Sequence, residues 1–148
     1  METRKVIVGI VTYNRYDLLI RAIESAILQN YSNFEIAVFD NGSNDNTYLI
    51  EKKYIDIKYQ KSNSCLSIVE AKNDLMKKLD YEYFFWLDDD AWFLNNNIIT
   101  DAVDFLENNK NVGALALDIL SPFNKESVFK NKIPFQSANF VEIGRAHV

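Results

Sequence analysis

The sequence of 148 residues predicts a single α/β domain, with a mostly parallel sheet flanked by helices. Short apolar runs rich in β-branched residues alternate along the chain with segments whose apolar residues recur every three or four positions. Clusters of polar residues follow directly after three of the apolar runs. This placement is typical of α/β proteins, because their ligand crevice lies beyond the carboxyl ends of the parallel strands.

The first predicted unit is a strand, a helix and a second strand. The apolar run at 5–13 is short and ends in polar residues, which is typical of a buried strand. Between residues 17 and 29 the apolar side chains fall on one stripe with a helical period, so this segment predicts an amphipathic helix. The run at 34–40 then predicts the second buried strand.

The middle of the chain predicts a turn, a short helix and a short strand. Residues 41–45, NGSND, have the composition of a turn. We expect either Asp45 or Asn46 to cap a helix that continues to about Tyr54. A third strand is predicted at 57–60.

The remaining predicted elements are two helices and two strands. Ser67 and Glu70 have the spacing of a capping box, which predicts that a helix begins behind Ser67. A fourth strand is predicted at 83–87. The apolar stripe at 98–108 predicts another amphipathic helix, and the run at 112–117 predicts a further strand.

Composition limits the functions that the sequence supports. The net charge of −5 argues against a broad nucleic-acid interface, since such proteins usually carry a basic stripe. The four glycines form neither a G-x-G-x-x-G nor a P-loop pattern, which removes two common phosphate cradles. The single cysteine allows no internal disulfide, and no apolar stretch approaches the ~20 residues of a membrane span. We therefore expect a cytoplasmic protein, with peripheral attachment to a membrane left open.

Three aspartates, Asp88, Asp89 and Asp90, directly follow the apolar run YFFWL. Neighbouring carboxylates repel one another, and a divalent cation would relieve this repulsion while holding a diphosphate that an acidic protein otherwise rejects. In an extended chain Asp88 and Asp90 would point the same way and Asp89 the opposite way. The alternative is a solvated acidic turn. Large aromatic residues around the triplet favour a functional site: Trp86, Trp92 and Phe93.

Three stretches in this order, VTYNR, VFDNGSNDNT and WLDDDAWF, resemble the pattern of glycosyltransferase family 2. In that family one strand ends in T-x-N or T-Y-N, a second ends in D-[DN]-G-S-x-D-x-T, and a third carries the D-x-D motif. The resemblance covers roughly residues 5 to 120. It implies a Rossmann-like GT-A fold, a UDP-, GDP- or dTDP-sugar donor, and a Mg²⁺ or Mn²⁺ ion. It also implies transfer with inversion to a glycan or lipid-linked acceptor, as in polysaccharide biosynthesis.

The resemblance implies roles for residues of the first two stretches. Thr12, Tyr13 and Asn14 match a loop that contacts the nucleobase, on which Tyr13 can stack. Asp40 matches the first acidic position of the second stretch. The next position, often an aspartate that reads the base, is Asn41 here, which leaves the base open among uracil, thymine and guanine. The rest of this stretch is expected to form turns and caps: Ser43, Asp45 and Thr47.

In the third stretch the resemblance implies that Asp88 and Asp89 lie beside the ribose and sugar of the donor. It further implies that Asp90, together with Asp88, binds the metal. Asn73 resembles part of a K-N element that contacts the donor from the helix before the D-x-D strand. Two basic residues are expected to be solvated: Arg15 and Lys72.

The family's general base, an acidic residue well downstream of D-x-D, has no match in residues 91–148. The acidic residues there lie on a predicted helix, end a strand too soon or stand alone: Asp101, Asp104, Asp118 and Glu142. The catalytic residue is therefore unassigned. We expect residues 1–143 to form an incomplete nucleotide-sugar-binding domain that ends before the acceptor-binding half. From about residue 121 no element is predicted, and residues 144–148 change in character, which leaves a cloning or assembly scar open as their origin.

Two other functions stay open from the sequence alone. A non-catalytic nucleotide-binding module or pseudoenzyme would account for the missing base. A phosphatase of the haloacid-dehalogenase type also uses D-x-D after a strand. That motif, however, normally continues with Thr or Val where this chain has Trp92, and it normally follows the first strand of the sheet.

Overall fold

The computed structural model describes residues 3–121 and the strand Glu142–His147. The main sheet has four parallel strands in the spatial order β3–β2–β1–β4. These strands are β1 (Val6–Thr12), β2 (Phe34–Asp40), β3 (Lys58–Lys61) and β4 (Tyr83–Trp86). They confirm the predicted α/β class with a parallel sheet, and β2 has the predicted bounds.

Four α-helices accompany the strands: α1 (Tyr16–Ile27), α2 (Ile50–Lys53), α3 (Ile68–Met76) and α4 (Ile98–Asn108). The bounds of α4 are as predicted, and α3 begins with the predicted capping box of Ser67 and Glu70. The helix predicted to reach Tyr54 begins instead as a 3₁₀ turn, Asn46–Leu49, which is capped by the Asp45 side chain through the Thr47 backbone N–H and continues as α2. None of the helices in the described part of the chain is long and apolar enough to cross a membrane.

The side chains of β1 alternate between two hydrophobic cores, one on each face of the sheet. Three fully buried residues pack with side chains of α1 and α4: Val6, Val8 and Ile10. On the opposite face Ile7 packs with Phe39 and with α3. Gly9 lies on this second face, where a Cβ atom would overlap the ring of Phe84. Helical layers on both faces therefore enclose a close-packed sheet.

A second, smaller sheet contains β5 (Trp92–Phe93), β6 (Ala116–Leu120) and β7 (Glu142–His147), in the order β5–β7–β6. The strand β7 is antiparallel to β5 and parallel to β6. The strand predicted at 112–117 was therefore placed too early, because Gly113 and Ala114 offer little side chain for a strand to pack. Most of the segment that the sequence left unassigned lies outside the described residues. The predicted tail, 144–148, overlaps β7, and its origin stays a prediction.

The strand order brings the three polar clusters to one edge of the main sheet. From β1 the chain continues to β2 and β3 on one side, whereas β4 lies on the other side of β1. The winding therefore reverses between β1 and β4, and open α/β sheets bind ligands at such a point, beyond the carboxyl ends of the strands. The loops after β1, β2 and β4 meet at this edge, as the sequence predicts.

Candidate functional site

The loop after β1 and the loop after β2 are joined by hydrogen bonds. Four donors cross between them: Asn14 N to Ser43 Oγ at 2.9 Å, Asn44 N to Asn14 Oδ1 at 2.7 Å, Tyr16 N to Asp45 Oδ2 at 3.1 Å, and Asn41 N to Thr12 O at 2.9 Å. Asn14 has a φ of 52°, a left-handed conformation that asparagine tolerates better than most residues. Asp45 also accepts a bond from the Thr47 backbone N–H, so the predicted capping role of Asp45 is confirmed.

A third loop, between β3 and α3, is held against the second by Asn41 and Gly42. The Asn41 amide donates to Leu66 O and accepts from Leu66 N, both at 2.9 Å. Gly42 has a φ of 86°, and a Cβ atom there would lie 3.0 Å from the carbonyl carbon of Ser64. Asn41 is only 6% exposed. The residue that the sequence assigns to base reading is therefore engaged by the backbone of the protein itself.

Asp40 is fully buried below these loops. It accepts hydrogen bonds from Ser43 N at 2.7 Å and Tyr59 Oη at 2.6 Å, and Lys61 Nζ lies 3.6 Å from the same oxygen as Tyr59. Burial, and then the hydrogen bond to Asp40, raise the pKa of Tyr59 above its ordinary value, so the hydroxyl stays a donor. Asp40 thus stabilises the turn from within and is not exposed to a ligand.

The three aspartates form a turn, which we call the acidic turn (residues 88–90). The turn is closed by a hydrogen bond from Ala91 N to Asp88 O at 3.1 Å. The extended conformation from which the sequence placed Asp88 and Asp90 on one side is not found, because these residues form a turn, which does not keep the two-residue alternation of a strand. Instead Asp89 and Asp90 both contact Arg15, at 3.0 Å from the same Nη1 atom.

Asp89 is the inner residue of the acidic turn and is 6% exposed. Its Oδ2 accepts a hydrogen bond from Thr12 Oγ1 at 2.8 Å, and its Oδ1 accepts from Arg15. Burial raises the pKa of Asp89, although Thr12 and the charge of Arg15 favour the ionised form. The charge of Asp89 in turn raises the pKa of Arg15. Both carboxylate oxygens of Asp89 are therefore occupied by the protein.

The contact of Arg15 with two aspartates is a structural feature of the site that the sequence did not predict. The Arg15 side chain is half exposed, so the expected surface position is correct, but the guanidinium is not simply solvated because it contacts Asp89 and Asp90. Lys72 is likewise not simply solvated, since its Nζ lies 4.7 Å from the centre of the Trp86 ring. One feature of the sequence could have indicated the Arg15 contact: Arg15 is a basic residue close behind a strand end, on a loop expected to lie beside the acidic turn.

Few of the predicted site residues are left with groups open to a ligand. Tyr13 is 44% exposed and makes no ring contact or hydrogen bond with a described residue. Asp88 is exposed, and among described residues its carboxylate has no partner. Asp90 uses only Oδ2 toward Arg15. Asn73 is exposed on α3, and within residues 3–121 its side chain makes no hydrogen bond that ties it to the three loops.

No three His, Cys, Asp or Glu side chains in the described part of the chain are arranged to hold a metal ion by themselves. The open oxygens of Asp88 and Asp90 are nevertheless hard ligands of the kind that Mg²⁺ prefers. A site with one or two protein carboxylates takes its other ligands from substrate phosphates and water. The donor set therefore fits a metal that arrives with a phosphate ligand better than a metal held by protein alone.

A family model described as "Glycosyl transferase family 2" matches residues 7–142. The chain belongs to glycosyl transferase family 2. This confirms the resemblance given by the three stretches, and it favours a glycosyltransferase over a phosphatase. A UDP-Glc:alpha-D-GlcNAc-diphosphoundecaprenol beta-1,3-glucosyltransferase, WfaP, of Escherichia coli is 32% identical over 112 residues, which cover 74% of this chain. An uncharacterized glycosyltransferase of Rickettsia typhi is 37% identical over 89 residues, or 58% of this chain.

The matched regions are 43% of the length of the first relative and 27% of the second, so this family 2 chain spans less than half of either. Solved structures share its fold. The S. aureus TarS 1–349 structure in complex with UDP-GlcNAc superimposes with a TM-score of 0.74 at 22% identity, over 82% of this chain and 36% of TarS. The mannosyltransferase PcManGT from Pyrobaculum calidifontis, in complex with GDP-Man and Mn²⁺, gives 0.71 at 22% identity, over 79% and 36%. The predicted GT-A fold is confirmed.

Proposed function

We propose that this chain is the donor-binding part of an inverting glycosyltransferase. It would hold a nucleotide-diphosphate sugar together with Mg²⁺ or Mn²⁺, for transfer of the sugar to a hydroxyl group of a glycan or lipid-linked acceptor. The observation that carries the proposal is the convergence of three joined loops at the reversal point of a GT-A sheet, where the acidic turn keeps outward carboxylate oxygens.

The nucleoside is assigned to the loop after β1. The exposed Tyr13 ring offers a face on which a base can stack, and stacking on an aromatic ring is worth about 1–3 kcal/mol per base. Thr12 and Asn14 are assigned to the support of this loop, and Asp40 and Asn41 to the support of the loop after β2, because their side chains bond to other parts of the protein. A UDP-sugar is the first candidate, since the named Escherichia coli relative uses UDP-Glc.

The metal is assigned to Asp90 and Asp88, with the two phosphates of the donor as its other ligands. A divalent ion there would neutralise the charge that develops on the departing diphosphate. Asp89 is assigned to the support of the turn rather than to the metal, because Thr12 and Arg15 occupy its oxygens. Inversion requires a base that takes the acceptor proton while the acceptor oxygen attacks the anomeric carbon. No residue is assigned to this role.

A thermal-shift experiment tests the donor and metal assignment. UDP, GDP and dTDP are added to the full chain with and without Mn²⁺. A nucleotide at about 100 times its Kd stabilises the folded state by about 2.7 kcal/mol, which for a domain of this size raises Tm by about 5–10 °C. We expect this shift to require Mn²⁺.

The variant Asp90→Asn should lose the part of the shift that depends on Mn²⁺. The matched control is Asp101→Asn, which makes the same change on the exposed face of α4, away from the acidic turn. A metal-dependent shift that persists unchanged in Asp90→Asn would contradict the assignment. A large shift without sugar transfer to any acceptor would instead favour a nucleotide-binding module.

A further inference from the structure

Arg15 supplies the positive charge that the acidic turn needs. One nitrogen, Nη1, lies 3.0 Å from Asp89 Oδ1 and 3.0 Å from Asp90 Oδ2. Arg15 lies in the loop after β1, and 74 positions of sequence separate it from Asp89. The repulsion between neighbouring carboxylates is therefore relieved by the protein itself.

We infer that Arg15 competes with the divalent cation for Asp90 and thereby sets the metal affinity of the site. This inference rests on the proposed function, because it takes Asp90 as a metal ligand. Arg15 occupies one of the two Asp90 oxygens and places a positive charge beside the oxygen that stays open. A second cation near this charge is repelled, so metal alone binds weakly while Arg15 keeps its place.

The surroundings allow Arg15 to leave Asp90 without loss of the turn. Asp89 keeps its hydrogen bond from Thr12, so the inner residue stays anchored. The Arg15 side chain is half exposed, and its guanidinium can follow an anion that arrives at the same edge of the sheet. A nucleotide diphosphate brings both a ligand for the metal and a partner for Arg15. Metal and nucleotide therefore bind with positive coupling, and each raises the affinity for the other.

Electron paramagnetic resonance of free Mn²⁺ measures the affinity of the full chain without nucleotide. We expect Arg15→Gln to lower the Kd for Mn²⁺ by about threefold to tenfold, because it removes both the competitor and its charge. This increase in Mn²⁺ affinity should disappear in the double variant that combines Arg15→Gln with Asp90→Asn. The control Arg21→Gln makes the same change of charge on α1, where Arg21 lies over the Trp92 ring at 4.2 Å, and should bind Mn²⁺ as the wild type does.

The sign of the change separates this inference from a purely structural role of Arg15. If Arg15 only held the turn together, Arg15→Gln would weaken Mn²⁺ binding. Unchanged or weaker binding in Arg15→Gln, while wild-type binding still depends on Asp90, would overturn the inference and leave the proposed metal site intact. If Asp90→Asn leaves Mn²⁺ binding unchanged in both the wild type and Arg15→Gln, the proposed metal site is overturned as well.

A second variant guards against a failure of Arg15→Gln to fold, which circular dichroism would reveal. Arg15→Lys keeps a positive charge, but its shorter side chain with a single nitrogen is less able to serve both carboxylates. We expect its Mn²⁺ affinity to lie between those of the wild type and Arg15→Gln. An affinity at or below that of the wild type would count against the competition.

Discussion

The hydrogen bond between Thr12 and Asp89 offers a direct test of how the acidic turn is supported. The substitution Thr12→Val removes the Oγ1–H donor that lies 2.8 Å from Asp89 Oδ2, while the side chain keeps nearly the same shape and volume. Thr12 is 2% exposed and Asp89 is 6% exposed, so water does not readily replace the donor. A hydrogen bond to a charged group is worth about 1.5–3 kcal/mol. We therefore expect a loss of about 2 kcal/mol at about pH 7, or a fall in Tm of about 4–8 °C.

The pH dependence of this loss follows from the pKa of Asp89, which burial raises in the folded state. For such a group, stability is greatest below the unfolded pKa and falls as the pH rises through the folded pKa. Thr12→Val removes a bond to the ionised form and raises the folded pKa further. The difference from the wild type should therefore be largest at about pH 7 and clearly smaller at about pH 3.

Urea unfolding of metal-free protein, followed by tryptophan fluorescence at both pH values, measures these differences. Thr12→Ser is the matched control, because it keeps the hydroxyl and should lose no more than about 1 kcal/mol with the methyl group. Two results would refute the reasoning. One is a Thr12→Val variant within about 0.5 kcal/mol of the wild type at about pH 7, which is the range of an ordinary surface substitution. The other is an equal loss at both pH values.

Two further substitutions probe the support of the loop after β2. Asn41→Asp places a carboxylate oxygen where the amide now donates to Leu66 O, and we expect a loss of about 2 kcal/mol in urea unfolding at about pH 7 that lessens in acid. Stability equal to that of the wild type would show that the amide bond to Leu66 is unimportant. Tyr59→Phe removes a donor from the fully buried Asp40 and should cost about 1.5–3 kcal/mol by the same assay, with Tyr48→Phe on the surface as a control. A loss below about 0.5 kcal/mol would mean that Ser43 N and Lys61 satisfy Asp40 without the tyrosine hydroxyl.

Local sequence patterns predicted the elements that depend on local rules. The bounds of β2 and α4 follow from a bounded apolar run and from a helical stripe, and both were predicted to the residue. The capping box at Ser67 is likewise a contact across three residues. The meeting of the three polar clusters at one edge was also predictable, because parallel strands share the direction of their carboxyl ends.

The errors concern contacts that local rules do not determine. The partner of Asp89 and Asp90 comes from a loop more than 70 residues earlier, and no local pattern shows that its side chain reaches the turn. Residues 88–90 form a turn after β4 and do not extend the strand, so the two-residue alternation assumed from the sequence does not apply to them. The strand β6 pairs with β7 in a separate sheet. The apolar run at 112–117 does not show which strand will be its partner.

The polar residues of the three stretches fall into two groups once their contacts are known. Most of them, including the buried Asp40, Asn41 and Asp89, bond to other parts of the protein and fix the shape of the loops. Such bonds limit the ordering that a ligand must impose, because loops already held in place lose little conformational entropy on binding. Recognition is then left to the few groups that stay open, Tyr13 and the outward oxygens of the acidic turn. A substitution in the first group should therefore change stability and affinity together, whereas one in the second group should change affinity alone.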